Sequence, residues 1–189
     1  MDLAKIIDVR IEGLADICFD KFIDHSKEKR PAGEKLYLRE GNIAVLPTAN
    51  MRAFLFGEKS AGSARTFEGK QAKHYIRWGM GHVHIDPPLI DFLERDKPIV
   101  FDDFKKKFWI LEESTCTKSS GGSITKQPIQ SRPVLKLPWA LKFQITLVEN
   151  PQIDDAKLKQ WFQKGGLVVG LGNYRPRFGR FRVVYWKSS

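Results

Sequence analysis

A strand with period-two alternation, a helix with acids at its start and a further strand close this chain, and another strand and helix occupy its N-terminal third. With a length of 189 residues and 42% hydrophobic content, these observations predict one α+β domain spanning residues 1–189. The predicted architecture is a ferredoxin-like (RRM-like) antiparallel or mixed sheet with helices on one face and a loop-rich insertion or projecting basic hairpin around residues 112–138.

The elements are justified in order. Residues 4–12 (AKIIDVRIE) alternate as a strand, and Gly13 marks a bend or break. Residues 26–35 are polar, contain Pro31 and Gly33, and read as a loop. KLYLREGNIAVLP holds two apolar runs about a turn at Glu40-Gly41-Asn42. Thr48 then reads as an N-cap, and Ala49, Met51, Ala53, Phe54 and Leu55 favour a helix ending near Gly57 or Gly62. Residues 75–101 read as irregular short strands broken at Gly79, Gly81, Pro87, Pro88 and Pro98.

Toward the C-terminus, Leu141, Phe143, Ile145 and Leu147 alternate with Lys142, Gln144 and Thr146, the pattern of a half-buried strand. Asn150-Pro151 ends it. Asp154 and Asp155 suit the positive end of a helix dipole, and Leu158, Trp161 and Phe162 form the apolar stripe. Gly165-Gly166 reads as the helix stop, residues 167–171 (LVVGL) as a strand, and residues 180–186 (RFRVVYW) as the last strand, with Phe181, Val183 and Tyr185 facing the core.

Charge narrows the function. The formal net charge is +10. Residues 1–113 balance at 19 basic and 19 acidic side chains, whereas residues 114–189 carry 13 Lys and Arg against Glu149, Asp154 and Asp155. A surplus of this size attracts a polyanion. Cys18 and Cys116 are too few for a disulfide framework and read as idle thiols; with no signal peptide or long apolar run, the expected setting is the cytoplasm, without a membrane partner.

Residues 165–186 (GGLVVGLGNYRPRFGRFRVVYW) combine glycine, arginine and aromatic residues without an acid. Gly170, Gly172 and Gly179 permit close approach of another backbone. Arg175, Arg177, Arg180 and Arg182 carry guanidinium forks that match phosphate oxygens, and Tyr174 and Phe178 present flat faces for base stacking. This chemistry fits single-stranded nucleic acid better than a duplex groove; the competing reading is an ordinary terminal hairpin.

The GLG segment lacks the third glycine, helix and downstream acid of a dinucleotide fingerprint, and no Walker lysine motif is present, so no cofactor is expected. His82, His84 and Asp86 stand two apart with His74 nearby, a spacing weighed as a metal set and set aside for want of a fourth ligand. His25 with Cys18 or Asp20 lacks an oxyanion loop.

Three stretches, IIDVRIEG, LYLREGNIAVLPTANMRAFLF, and SRPVLKLPWALKFQITLVEN with the glycine-rich stretch after it, resemble the RAMP superfamily. These ferredoxin-like RNA-binding proteins include the crRNA-coating backbone subunits of CRISPR effector complexes. The resemblance covers about half the chain; residues 65–130 have no counterpart, and the chain is short for a backbone subunit, so a solitary or phage-borne relative fits equally.

The resemblance implies that the loop from Gly165 to Gly179 lies near RNA and that Thr48, Asn50 and Arg52 approach its backbone. The basic, acid-free stretch from Ser114 to Lys142 reads as a second nucleic-acid contact through Lys118, Lys126, Arg132 and Lys136 or as a solvated linker, and the resemblance implies a projecting hairpin that touches nucleic acid and a neighbouring subunit. Some relatives cut RNA with an aspartate after the first strand, which directs attention to Asp16, Asp20 and Asp24; the surrounding ADICFDKFID does not reproduce their motif.

The expectation is therefore a non-catalytic protein that holds single-stranded, crRNA-like RNA and assembles side by side along it, alone or with CRISPR effector subunits. The alternatives are a protein–protein module that mimics a backbone subunit and a ribonuclease using Asp20 or Asp24.

Overall fold

A computed structural model describes residues 3–21, 30–57, 62–113, 116–118, 124–126 and 129–189. The first half contains strands β1 (Ala4–Gly13), β2 (Ile17–Cys18), β3 (Leu38–Arg39) and β4 (Ile43–Pro47) and helices α1 (Thr48–Phe56), α2 (Ser63–Phe67) and α3 (Ala72–His82). Strands β5 (Val83–Asp86), β6 (Leu89–Glu94), β7 (Lys97–Pro98) and β8 (Phe108–Glu113) follow. The rest comprises β9 (Cys116–Lys118), β10 (Ile124–Lys126), β11 (Gln130–Leu135), β12 (Ala140–Val148), helix α4 (Asp155–Val168) and β13 (Phe181–Ser188).

The main sheet runs β13-β1-β12-β6-β4-β3, with β5 also on β12 and β7 on β6, and its pairs are antiparallel. Reduced to β1, β5, β12 and β13, with α1–α3 in the first crossover and α4 in the second, this is the ferredoxin-like βαββαβ arrangement. The α+β fold class read from the sequence is the observed one.

Alternation sets the two faces. Ile7, Val9 and Ile11 of β1 and Leu141, Phe143, Ile145 and Leu147 of β12 are buried against the helices. Asp8 and Lys142 between them are exposed. Met51, Phe54 and Leu55 of α1 and Leu158, Trp161 and Phe162 of α4 complete the core. Asp154 caps α4, its side chain accepting the Lys157 N–H at 2.7 Å.

A second, three-stranded sheet, β2-β11-β8, carries a smaller core of Cys18, Leu111, Val134 and Phe178. The β9–β10 hairpin lies between β8 and β11 in the chain, with Cys116 opposite Lys126 as Glu113 is opposite Gln130.

Five local expectations are corrected. Gly165-Gly166 does not stop α4, and residues 167–171 are not a strand. The helix runs through to Val168, and its glycine terminator is Gly170 at φ +74, whose N–H donates to the Gly165 carbonyl at 2.9 Å. The earlier glycines serve close packing: a Cβ on Gly166 would stand 2.5 Å from the Phe181 carbonyl, and one on Gly165 would meet Ser63 and Phe54.

Tyr185 does not face the core. Arg10 pairs with Tyr185 but Ile11 pairs with Val183, so Val184 is bulged out and the alternation shifts. Tyr185 is consequently 48% exposed, and Trp186 packs on the core instead. Residues 72–82 are a helix despite Gly79 and Gly81: Gly79 lets the Phe56 ring lie against the α3 backbone, so tertiary contact outweighs the propensity penalty. Thr48 is the first residue of α1, with Pro47 in the N-cap position and no side-chain cap.

Gly166→Ala is expected to reverse the usual sign of a helix Gly→Ala change. Propensity favours alanine by about 1 kcal/mol, but overpacking against Phe181 costs about 1–3 kcal/mol. Urea denaturation should show a lower midpoint at unchanged slope.

Candidate nucleic-acid interface

Helix α4 delivers the chain into a loop, residues 169–180, that the end of β1 holds in place. Gly170, Gly172 and Gly179 take φ near +75°, and Tyr174 also lies at positive φ. The Leu171 N–H donates to the Gly179 carbonyl at 2.9 Å, which closes the loop on itself. Gly179 N–H donates to the Asp16 carbonyl at 2.7 Å, Asn173 N–H to the Cys18 carbonyl at 2.8 Å, and Leu14 N–H to the Arg180 carbonyl at 2.7 Å. The loop is therefore docked on residues 14–18 along its length. Asp16 fixes that segment in turn, its carboxylate accepting the Leu137 N–H at 3.0 Å and the Trp109 indole N–H at 3.2 Å.

Between the loop, the residues after β2 and the first turns of α1 lies a pocket of about 320 Å³, lined by Phe19, Asp20, Tyr37, Asn50, Ala53, Gly172, Asn173 and Arg175. Its charges are unequal. Asp20 accepts from Arg132 Nε at 2.9 Å and Asn173 Nδ2 at 3.3 Å, and Lys35 Nζ stands 4.0 Å away, so this carboxylate is already compensated. Arg175 donates only to the Gly170 carbonyl, at 3.3 Å, and has no carboxylate partner among the described residues. Burial lowers its pKa from the ordinary arginine value, the mark of a cation held without full hydration. An arginine stays protonated under such a shift, so the pocket presents a fixed positive charge. Helix α1, whose N-terminal turn no side chain caps, contributes the positive end of its dipole.

The structure thus brings Asn50, Gly172 and Arg175 together and disperses the other candidates. Gly170 terminates α4. Arg52 turns away from the pocket to the Met80 carbonyl, 2.8 Å distant. Arg132 lies behind Asp20, donating to the Tyr174 hydroxyl at 2.9 Å with its guanidinium over that ring at 4.9 Å, which occupies one face of Tyr174. Phe178 is 7% exposed and packs near Trp109 in the second core.

Arg177 pairs with Glu113 and lies over the Phe178 ring at 5.2 Å. Arg180 is exposed. Arg182 stands on the open face of the main sheet, 3.1 Å from Glu12. Lys136 is exposed and reaches the Lys106 carbonyl at 3.1 Å; Lys126 and Lys118 occupy the β9–β10 hairpin. Four arginines close in sequence therefore point to four surroundings. Sequence reasoning missed Tyr37, Lys35 and Asn173, which no periodicity marks; Asn173 follows Gly172 and stands opposite Cys18 in an isolated bridge.

Of the remaining candidates, His74 packs on Trp78 and His82 hydrogen-bonds the Trp78 carbonyl at 2.8 Å within α3, while His84 and Asp86 lie on β5. Among the described residues no three His, Cys, Asp or Glu side chains converge on a metal position. Asp24 and His25 lie outside the described residues.

No family model matches this sequence, and no curated protein matches it. Among solved structures, a chain from the cryo-EM structure of the type III-B Cmr-beta bound to cognate target RNA is similar, with a TM-score of 0.54 at 12% identity. The match covers 98% of this chain and 60% of that one, so the protein spans about 60% of its neighbour's length. The likeness is one of fold, and it extends over the middle of the chain as well as its ends. No described helix is long and apolar enough to cross a membrane.

The docked loop also seals Cys18, whose thiol burial pushes up to about 12. It is expected to resist alkylation at pH 8 in the native protein. In Gly172→Ala, an added Cβ would meet the Cys18 carbonyl at a backbone of φ +76, a strain of about 1–3 kcal/mol. Peptide-mapped alkylation should then find Cys18 labelled faster in the variant than in the parent.

Proposed function

We propose that the protein binds single-stranded RNA by its sugar–phosphate backbone without cleaving it, as a RAMP-like protein of a CRISPR type, and that copies or effector subunits line up along the strand. The observation that carries this reading is the pocket in which the uncompensated Arg175, the Gly172 backbone and the start of α1 face one another. A desolvated cation beside a helix N-terminus is a phosphate site on general grounds. The fold shared with a Cmr-beta chain whose structure holds target RNA supports the same reading.

In this account a phosphate enters between Arg175 and the first turn of α1. Asn50 offers an amide to its oxygens, and Gly172, lacking a side chain, lets the strand pass close to the loop. The exposed Arg177 and Arg180 would meet neighbouring phosphates at the rim. Cleavage would fall to Asp20. Its carboxylate is already engaged by Arg132 and Asn173, with Lys35 nearby, which favours a positioning role over catalysis.

The test is fluorescence anisotropy with labelled single-stranded RNA over a series of salt concentrations, with product analysis on a gel. Arg175→Gln should weaken binding and make the log–log salt slope less negative by about 0.7, the loss of one phosphate contact on a single strand. Arg182→Gln, on the open sheet face, should leave both unchanged. Binding insensitive to salt, or no binding at low salt together with a stable complex between the protein and an effector subunit, would replace this reading with that of a protein–protein module. RNA cut by the parent but not by Asp20→Asn would establish the ribonuclease.

A further inference from the structure

The charge balance of residues 1–113 is an average over a strongly uneven surface. From residue 62 to residue 84 the chain carries Arg65, Lys70, Lys73 and Arg77 against one acid, Glu68. Helix α4 engages that acid: Glu68 accepts the Trp161 indole N–H at 2.7 Å and Lys157 Nζ at 3.0 Å, and its side chain is 12% exposed. Helix α3 has no acid of its own. Lys70, Lys73 and Arg77 are exposed, and among the described residues none of the three has a carboxylate partner. Like charges four residues apart, as in Lys73 and Arg77, weaken a helix, so local stability does not explain them.

Lys70 and Lys73, with Arg65, also shape a cavity. Arg65, Gly69, Lys70, Ala72, Lys73 and Ile76 line about 390 Å³ at the start of α3. Gly69 stands at its edge with φ +53 and open space where a Cβ would be, so its backbone is approachable. Lys73 and Arg77 are separated by about 6 Å along the axis, close to the step between adjacent phosphates of an extended strand. His74 and Trp78, with ring centroids 5.8 Å apart, add aromatic surface on the same helix.

We propose that this face of α3 and the turn before it form a second binding surface for the phosphodiester backbone of single-stranded nucleic acid, with Lys70, Lys73 and Arg77 as its phosphate contacts. The reading above supplies the partner; the residues, the cavity and the test are separate from the glycine-loop pocket.

The experiment uses the full chain with Lys70, Lys73 and Arg77 all changed to Gln, titrated against labelled single-stranded RNA across a salt series. Three lost contacts at about 0.7 each should make the salt slope less negative by about 2, which extrapolates to roughly 100-fold weaker binding at 0.1 M salt. The melting temperature should hold or rise, since the change relieves repulsion within α3. A charge-preserving variant, with Lys70 and Lys73 changed to Arg and Arg77 to Lys, should bind like the parent.

An unchanged salt slope in the triple variant, with Arg175→Gln still impaired, overturns this surface and leaves the pocket standing. Loss in the triple variant but not in Arg175→Gln supports the surface and removes the pocket. Polyglutamate bound in a manner the triple variant abolishes, with no RNA binding by the parent, identifies an acidic protein partner and overturns the proposal. Binding of neither polymer overturns it as well.

Discussion

Strand β1 lies between β12 and β13, and the hydrogen bonds along its two edges govern both the core and the site. Its register on β12 runs from Ala4 opposite Val148 to Glu12 opposite Ala140, which presents Ile7, Val9 and Ile11 to the helices as one apolar row. A slip of one residue would turn that row to solvent. Past Gly13, residues 14–18 of the same chain segment carry the backbone groups on which the loop after α4 is docked. The pocket is thus an extension of the central strand pairing, and its walls inherit the rigidity of the sheet.

Elements whose own residues decide their conformation were legible in the sequence. The alternation of β12, the acids at the start of α4 and the termination of α1 at Gly57 all follow local rules. The misreadings occur where a distant residue decides. Gly79, Gly165 and Gly166 look like breakers, yet each admits a neighbouring group, the Phe56 ring, the Phe54 ring with Ser63, and Phe181, against a helix backbone. Tyr185 was misassigned because the bulge at Val184 is a property of the β1–β13 pair, invisible in β13 alone.

The candidate site rests on composition in the sequence, and its direction emerges only in the fold. The composition from Gly165 to Trp186 suggested one phosphate-binding cluster, but its arginines diverge to a pocket, to Glu113, to solvent and to the open face of the sheet. Asn50, distant from Arg175 in the chain, becomes its neighbour only in the fold, where both line one pocket with Phe19 and Asp20. The basic face of α3 escaped notice for the opposite reason. The one acid between residues 62 and 84, Glu68, is engaged by Trp161 and Lys157 of α4.

The close approach of α4 to its neighbours carries a further consequence. With Gly165 against Phe54 and Ser63, and Gly166 against Phe181, the last turn of α4 has little freedom to slide. The loop begins three residues after Gly166, so a change of volume in that glycine-lined seam bears on Gly170 and, through it, on the Arg175 guanidinium bonded to its carbonyl. Side chains outside the pocket therefore bear on its width. Substitutions in the interior of this protein would be felt in the shape of that pocket as well as in its stability.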